Sequence, residues 1–244
     1  EDAYEEGRAM GTFAQETAND YQMTREEMDE YSIESLRRAN AAIDSGAFAD
    51  EVVPVTFSTR KGEVTVEHDE QPGKGRPDKI PQLRPAFAKD GTITAATSSS
   101  ISDGAAAVVL SRESVAKENG QEPVAKIVAL AAHAQEPSEF TVAPVGAIEK
   151  VLKSAGWSAD EVDLWEVNEA FACVAMFAMR DIGIPHDKIN VNGGGTALGH
   201  PIGASGTRII VTLLNALKQQ GKKRGVASLC IGGGEATAVA VEMV

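Results

Sequence analysis

The sequence predicts an α/β fold in which helices cover both faces of a sheet. Over residues 122–244, short apolar runs alternate with amphipathic segments, a pattern typical of βα units. Hydrophobic residues make up 43% of the chain, which is enough for a packed core and argues against a disordered protein. The 244 residues correspond to one large domain or two ordinary ones.

The first 90 residues are polar and contain one clearly delimited helix. It begins after Thr24, which forms a capping-box pattern with Glu27, and it ends at Gly46. Residues 52–57 predict an edge strand, and residues 64–66 predict a second strand that pairs with it as a hairpin.

The region that follows changes character twice. Residues 69–85 are rich in proline, glycine and charge, so they predict a loop. Residues 94–102 are small and rich in hydroxyl groups, and residues 103–110 predict a buried strand after them. Such small side chains would let another layer or a ligand approach the backbone closely.

The remaining elements follow from apolar periodicity and from residues that start or stop helices. Pro144 occupies the favourable first position of a helix, and Gly156 ends that helix. Strands are predicted at residues 124–132, 162–167, 189–191, 226–230 and 236–241, and helices at residues 144–155, 168–182 and 202–220.

The net charge and the absence of targeting signals in the sequence indicate which partners and which cell compartment to expect. With 36 acidic and 23 basic residues, the net charge of −13 argues against binding to nucleic acid or to anionic membranes. No apolar run approaches the length of a membrane span, and the first residues do not form a signal peptide. We expect a cytoplasmic protein, or a mitochondrial matrix protein if a transit peptide was removed. Because the first residue is not Met, we expect a processed chain or part of a longer one.

The two cysteines occupy different settings. Two are too few for a disulfide framework or a cysteine zinc site. Cys173 lies inside a predicted helix between apolar neighbours and is interpreted as a core residue. Cys230 ends a predicted strand, while Asn168 and His200 follow two others. Because ligands bind beyond the carboxyl ends of strands in open α/β sheets, these three side chains predict one cleft.

Each of these three residues also has a purely structural interpretation. A cysteine at a strand end is commonly a core residue, and a histidine after a glycine run commonly makes structural hydrogen bonds. Asn168 would suit a helix cap. Their joint occurrence at three strand ends favours a catalytic site.

Two glycine triplets, residues 193–195 and 232–234, allow two interpretations. They could cradle a phosphate with bare backbone amides, or they could pack closely and aim N–H groups at an oxyanion. The dinucleotide-binding fingerprint fails, because its third glycine would fall at Leu198 or Thr237. No Gly-Lys-Ser/Thr follows either triplet, so a nucleotide-dependent dehydrogenase or an NTPase is disfavoured.

Three segments resemble, in order and in spacing, the carboxyl-terminal half of a thiolase. They read NEAF at residues 168–171, NGGGTALGHPIGASG at residues 192–206 and CIGGG at residues 230–234. The resemblance implies the layered αβα fold of that family. The resemblance also implies three parts. Residues 1–90 would form a helical and loop lid domain over coenzyme A. Residues 91–112 would be the last segment of an N-terminal core domain that is otherwise mostly missing, and residues 113–244 would form a complete C-terminal core domain.

The resemblance also implies catalytic roles. His200 matches the histidine that takes the proton from a nucleophilic cysteine, and Cys230 matches the second cysteine, which moves a proton to and from the acetyl methyl group. Asn168 matches the asparagine whose bound water completes an oxyanion hole with His200. The N–H of Gly232 matches half of a second oxyanion hole.

The substrates implied are coenzyme A thioesters: two acetyl-CoA molecules condense reversibly to acetoacetyl-CoA and free coenzyme A. No metal and no resident cofactor is implied. The residues that match acyl-pocket or coenzyme A contacts are Met10, Phe87, Ala95, Ser99, Ala170 and Phe171.

The sequence departs from the family at the nucleophile. No residue matches the nucleophilic cysteine, so we expect residues 1–244 alone to be inactive, since losing a nucleophile costs on the order of a million-fold. Ala9 stands where short-chain thiolases usually have histidine, and Glu235 stands where a small residue is common. Met10 and Phe171 still favour an acetyl-specific enzyme over a broad-range 3-ketoacyl thiolase.

Two further classes remain as alternatives. A decarboxylating ketoacyl synthase would carry a second histidine where this chain has Asn168, which counts against that class. A non-catalytic thiolase-half binding module is suggested by the missing nucleophile, but it would not require His200 and Cys230. The resemblance implies a homo-oligomer, either a dimer or a tetramer. An isolated carboxyl-terminal half should expose a large apolar face.

Overall fold

The helices and strands of this protein follow the predicted α/β alternation. The computed structural model describes residues 2–244. In chain order the elements are α1 (Met10–Asp20), α2 (Arg25–Ser45), β1 (Val55–Thr59), β2 (Gly62–Val66), α3 (Glu113–Glu118), β3 (Ala125–Ala134), α4 (Ala143–Ala155), β4 (Leu164–Val167), α5 (Ala172–Ile182), α6 (Gly195–Leu198), α7 (Ser205–Gln219), β5 (Arg224–Ile231) and β6 (Glu235–Met243).

Helix α2 is delimited by the residues that predict its ends. Thr24 and Glu27 form the full capping box, each side chain bonding the backbone N–H of the other residue. Gly46 closes the helix in the left-handed region at φ 74°. The hairpin of β1 and β2 is also confirmed, although β1 begins after Pro54 rather than at residue 52.

One four-stranded mixed sheet carries the carboxyl-terminal half of the chain. Its strand order is β3-β6-β5-β4; β4 and β5 are parallel and the other two pairs are antiparallel. Along β5, Val226 and Cys230 face the core that includes α4 and α5, while Ala227 packs with α7 on the opposite side. Helices therefore cover both faces of the sheet, as predicted.

Two predicted strands are absent from the described structure. Residues 103–110 form neither helix nor strand, and Val109 and Leu110 are 94% and 72% exposed. A strand needs a partner for its N–H and C=O groups, and no other strand lies beside this segment within residues 2–244. Residues 189–191 make only one isolated bridge, from Ile189 to Trp165, because Asn190 turns the backbone with a φ of 46°.

Other predicted boundaries shift by a few residues. The helix expected from residue 168 begins at Ala172, because residues 168–171 form an extended loop instead. The helix expected from residue 202 begins at Ser205. Helices α1 and α3 were not predicted from the sequence. No helix in the described part of the chain is both long and apolar enough to cross a membrane.

Candidate active site

Two parallel neighbouring strands place Asn168 and Cys230 at the same end of the sheet. Val167 pairs with Ser228, and the N–H of Asn168 donates to the carbonyl of Ser228 at 3.0 Å. Cys230 lies two residues further along β5 and is only 7% exposed. The topology expected from the sequence therefore holds for these two residues.

His200 reaches the site by a different route from the one predicted. No strand precedes it; instead its N–H donates to the carbonyl of Ser100 at 2.8 Å, in a bridge between Ile101 and His200. The same hydroxyl-rich segment pairs with the loop after Asn168, since the N–H of Ala172 donates to the carbonyl of Thr97 at 2.9 Å. Residues 97–101 thus hold the Asn168 loop and His200 together.

The imidazole of His200 is contacted on both of its nitrogens. Nε2 lies 3.5 Å from Nδ2 of Asn168, and Nδ1 lies 2.5 Å from Oγ of Ser205. Burial lowers the pKa of His200, and the positive charge of Arg208 lowers it further. Near neutral pH the ring is therefore favoured in its uncharged form, which can accept a proton.

The two cysteines are both buried thiols. Burial raises the pKa of Cys230 to about 12. The sulfur of Cys230 is therefore favoured as a neutral thiol rather than as a thiolate near neutral pH. Burial also raises the pKa of Cys173 to about 12, and Cys173 is 0% exposed inside α5. Cys173 is thus a core residue, as interpreted from the sequence.

Gly232 lies in the turn between β5 and β6, directly after the strand that carries Cys230. Ile231 pairs with Glu235, so residues 232–234 form a three-glycine hairpin loop. A Cβ on Gly232 would lie 3.7 Å from Cε of Met10. Two residues predicted to serve the site, Gly232 and Met10, therefore lie side by side.

The ring of Phe171, a residue predicted to line the acyl pocket, has two aromatic neighbours. Phe87 and Phe140 approach its ring edge-on, with centroids 6.0 Å and 6.3 Å away. Gly11 on α1 has no room for a Cβ, because the ring of Phe87 fills that space. Phe171 and Phe87 are therefore neighbours, and α1 holds Phe87 in position.

Three further residues are predicted to contact the acyl group or coenzyme A, namely Ser99, Ala170 and Ala95. The N–H and Oγ of Ser99 both donate to the carbonyl of Ala170, at 3.0 Å and 2.9 Å. Ser99 and Ala170 therefore form one linked pair beside Asn168. Ala95 is exposed at the surface. Their contacts with coenzyme A remain predictions.

The sequence did not single out Glu169, which forms the most densely bonded polar group near the site. Its buried carboxylate accepts from Tyr31 and Ser35 of α2 at 2.8 Å each, and from Asn190 at 2.9 Å. It also accepts from the N–H and the hydroxyl of Thr196 at 3.1 Å and 2.7 Å. The only sequence signal is an acidic residue between Asn168 and two apolar residues. Glu169 thereby ties α2 to the loop that leads to His200.

The first glycine triplet is used for close packing rather than for a phosphate. Gly193 has a φ of 80°, and a Cβ there would lie 2.7 Å from the carbonyl oxygen of Ser35. The N–H of Gly194 donates to Oγ of Ser35 at 2.9 Å. A Cβ on Gly194 would collide with Glu169. Of the two interpretations left open by the sequence, the structure supports close packing of the loop against α2.

No metal site accompanies these residues. Within residues 2–244, no group of three or more His, Cys, Asp or Glu side chains is arranged to hold a metal ion. The described site thus consists of one imidazole, one carboxamide, one buried thiol and the backbone amides of a glycine loop.

Comparison with known proteins places this geometry in a family. Residues 1–114 match the family model for the thiolase N-terminal domain, and residues 121–243 match the one for the thiolase C-terminal domain. The sequence resemblance assigns only residues 91–112 to the N-terminal domain, whereas the family model for that domain matches residues 1–114. The prediction that this domain is mostly missing is therefore wrong in its extent. The division predicted at residues 90 and 112 stays a prediction.

Curated and solved relatives agree with the family models. An acetyl-CoA acetyltransferase of Yarrowia lipolytica is 50% identical over 235 residues, which cover 96% of this chain and 59% of that protein. The acetyl-CoA acetyltransferase of Bacillus anthracis superposes with a TM-score of 0.97 at 41% identity, over 100% of this chain and 62% of the other. A thiolase of Ascaris suum in complex with coenzyme A gives a TM-score of 0.89 at 40% identity, over 100% of this chain and 62% of the other.

The chain spans about three fifths of the length of the curated relatives it matches. Both halves of the chain match thiolase domains, and the Asn168, His200 and Cys230 segments occur in the order that the family resemblance requires. This chain therefore belongs to the thiolase family.

Proposed function

We propose that this chain supplies the enolate-forming part of an acyl-transferase site that condenses two acetyl-CoA molecules reversibly to acetoacetyl-CoA and coenzyme A. One observation carries the proposal. Asn168 Nδ2 lies 3.5 Å from His200 Nε2, at the end of the strand next to the one that bears Cys230. A proton acceptor and a polar amide therefore lie next to each other, and a thiol lies at the same end of the sheet.

The chemistry of an enolate requires this combination. The methyl group of a thioester is a very weak carbon acid, so its enolate oxygen needs hydrogen-bond donors as charge develops, each worth roughly 3 kcal/mol. The protonated imidazole of His200 and a water held by Asn168 would supply donors at that oxygen. Cys230 would move the proton between its sulfur and the methyl carbon. Its raised pKa favours the thiol, the form from which thiolytic cleavage protonates the enolate.

The preference for a short acyl chain is supported by the aromatic surroundings of Phe171. Phe87 and Phe140 both approach its ring edge-on, so large apolar side chains occupy the space beside Phe171. Met10 lies beside Gly232. Acetyl and acetoacetyl thioesters are the smallest substrates of this reaction class, and two of the similar proteins are acetyl-CoA acetyltransferases.

We further propose that the nucleophilic cysteine is contributed by chain outside this sequence. Cys173 is 0% exposed inside α5, and burial raises its pKa to about 12, so it is not a nucleophile. Cys230 is assigned to proton transfer. The chain by itself should then catalyse neither condensation nor thiolysis.

The test is a thiolysis assay with acetoacetyl-CoA and coenzyme A. We expect no turnover with the purified chain alone, and turnover when it is co-expressed with the amino-terminal two fifths of the Yarrowia lipolytica relative. The control is the same added segment with every cysteine replaced by alanine, which should be inactive. Activity of the chain alone would contradict the missing-nucleophile proposal. A folded, mixed complex that cleaves no ketoacyl thioester of any chain length would overturn the proposed reaction.

A further inference from the structure

Ser205 is a buried hydroxyl with two polar neighbours that the proposed mechanism has not used. It is 0% exposed and is the first residue of α7. Its Oγ lies 2.5 Å from Nδ1 of His200 and 3.1 Å from the carbonyl oxygen of Pro201. It is therefore the direct partner of the His200 nitrogen that faces away from Asn168.

A serine hydroxyl carries one proton, so Ser205 can donate to only one of these neighbours. A carbonyl oxygen can only accept, and a serine side chain can donate to the carbonyl four residues before it, which for Ser205 is that of Pro201. If Ser205 donates to Pro201, its oxygen must accept from His200. Nδ1 then carries the ring proton.

If Ser205 instead donates to Nδ1 of His200, the ring proton must lie on Nε2. The Pro201 carbonyl also accepts the backbone N–H groups of Ala204 and Ser205, at 2.8 Å and 2.9 Å. Ser205 could therefore turn its proton to Nδ1, and Nε2 would then carry the hydrogen. In that tautomer Nε2–H would point at the Nδ2 group of Asn168, placing two donors 3.5 Å apart. The neighbours on both sides of the ring fit the Nδ1–H tautomer.

We propose that Ser205 is a positioning residue that holds His200 in the Nδ1-protonated tautomer and leaves Nε2 free to accept a proton. Its catalytic meaning rests on the proposed function, whereas the tautomer itself does not. When Nε2 takes a proton from a thiol, the N–H at Nδ1 continues to donate to Ser205. The new N–H at Nε2 then faces Asn168, where the enolate oxygen is proposed to lie. One ring orientation serves both steps without a flip.

Nitrogen NMR of the imidazoles tests the proposal on the chain itself. The protein is labelled with ¹⁵N-histidine and studied near neutral pH, where burial and Arg208 favour the uncharged His200 ring. The sequence has four histidines, and loss of one signal set in the His200→Gln variant assigns His200. We expect a protonated Nδ1 and an unprotonated Nε2. Conversion of this pattern in Ser205→Ala to the Nε2–H tautomer or to a mixture would support the role of Ser205.

Further variants keep the test decisive. Ser228→Ala removes another buried hydroxyl, whose Oγ donates to the Thr237 carbonyl at 2.8 Å, and it should leave the His200 pattern unchanged. Ser205→Thr keeps the hydroxyl and should retain the wild-type pattern, and Ser205→Gly, which also removes the hydroxyl, replaces Ser205→Ala if the alanine variant does not fold. A wild-type Nε2–H tautomer, or an Nδ1–H tautomer that Ser205→Ala leaves intact, would overturn the proposal. Because no substrate is present, an inactive enzyme would not produce either result.

Discussion

At the scale of single residues, the site depends on buried or half-buried groups held by hydrogen bonds rather than on exposed charges. His200 is positioned by Ser205 and Ser100, and Asn168 by the backbone of β5. The two carboxylate oxygens of Glu169, the residue after Asn168, together accept five hydrogen bonds. A change at any of these groups should therefore alter stability as well as chemistry.

Replacement of Glu169 by glutamine should destabilise the fold by roughly 3 kcal/mol, because buried donors would lose their acceptor. One oxygen accepts from Tyr31 and Asn190, and the other accepts from Ser35 and Thr196. Whichever way the new amide turns, its NH₂ group faces at least two donors. Urea denaturation measures the loss, and the exposed Glu149→Gln variant should change the free energy of unfolding by less than about 0.5 kcal/mol. Equal stability of the two variants would contradict this account of Glu169.

Glu166 should make the fold less stable as the pH rises. Burial raises its pKa from 4.5 to about 8, and the negative charges of Glu169 and Glu51 add to this while Arg208 opposes it. Between about pH 4.5 and 8, the unfolded chain loses this proton and the folded chain keeps it. The contribution of Glu166 to stability is therefore fully present below pH 4.5 and is lost as the pH rises toward 8.

The Glu166→Gln variant cannot ionise, so its free energy of unfolding should fall less than that of the wild type between pH 5 and pH 8. Urea denaturation at the two pH values gives the comparison, and the exposed Glu26→Gln variant controls for other titrating groups. An identical pH dependence in wild type and Glu166→Gln would show that Glu166 is already ionised in the folded protein.

At the scale of elements, the docking of α2 on the glycine loop connects the amino-terminal helices to the site. Gly193 should be intolerant of alanine, because its φ is 80° and a Cβ would lie 2.7 Å from both Ala39 Cβ and the Ser35 carbonyl. The expected cost is roughly 2–4 kcal/mol, from backbone strain and from displacement of α2. Gly203 has no atom within 4 Å of a built Cβ, so Gly203→Ala is the matched control. Thermal unfolding distinguishes them, and similar transition temperatures would disprove tight docking at Gly193.

The elements also show what local sequence can predict. Helices α2 and α4 were predicted because their ends carry capping and stop residues, namely Thr24, Gly46, Pro144 and Gly156. The strand expected at residues 189–191 failed because Asn190 turns the chain to bond Val167 and Glu169, contacts that lie far away in sequence. The proximity of Asn168 and Cys230 followed from strand order. The roles of Ser205 and Glu169 could not be predicted, since their partners are fixed only by packing.

At the scale of the whole molecule, apolar side chains remain uncovered around the edge strand β3. Helix α7 packs chiefly on β4 and β5, which leaves Ile127 and Leu130 of β3 44% and 68% exposed. Val109 and Leu110 are exposed too. An unpaired edge strand with apolar side chains is a template for association with other chains.

We therefore expect the purified chain to self-associate in a concentration-dependent way, and Leu130→Lys to reduce that association. A lysine at this position places a charge on the free edge of the sheet, where it disfavours pairing with another strand. Val115→Lys adds the same charge at an exposed site on helix α3 rather than on a strand, and should leave the association unchanged. Light scattering coupled to size-exclusion chromatography gives the mass at each concentration. A monomeric wild type, or equal association of the two variants, would show that the β3 edge does not drive contacts between chains.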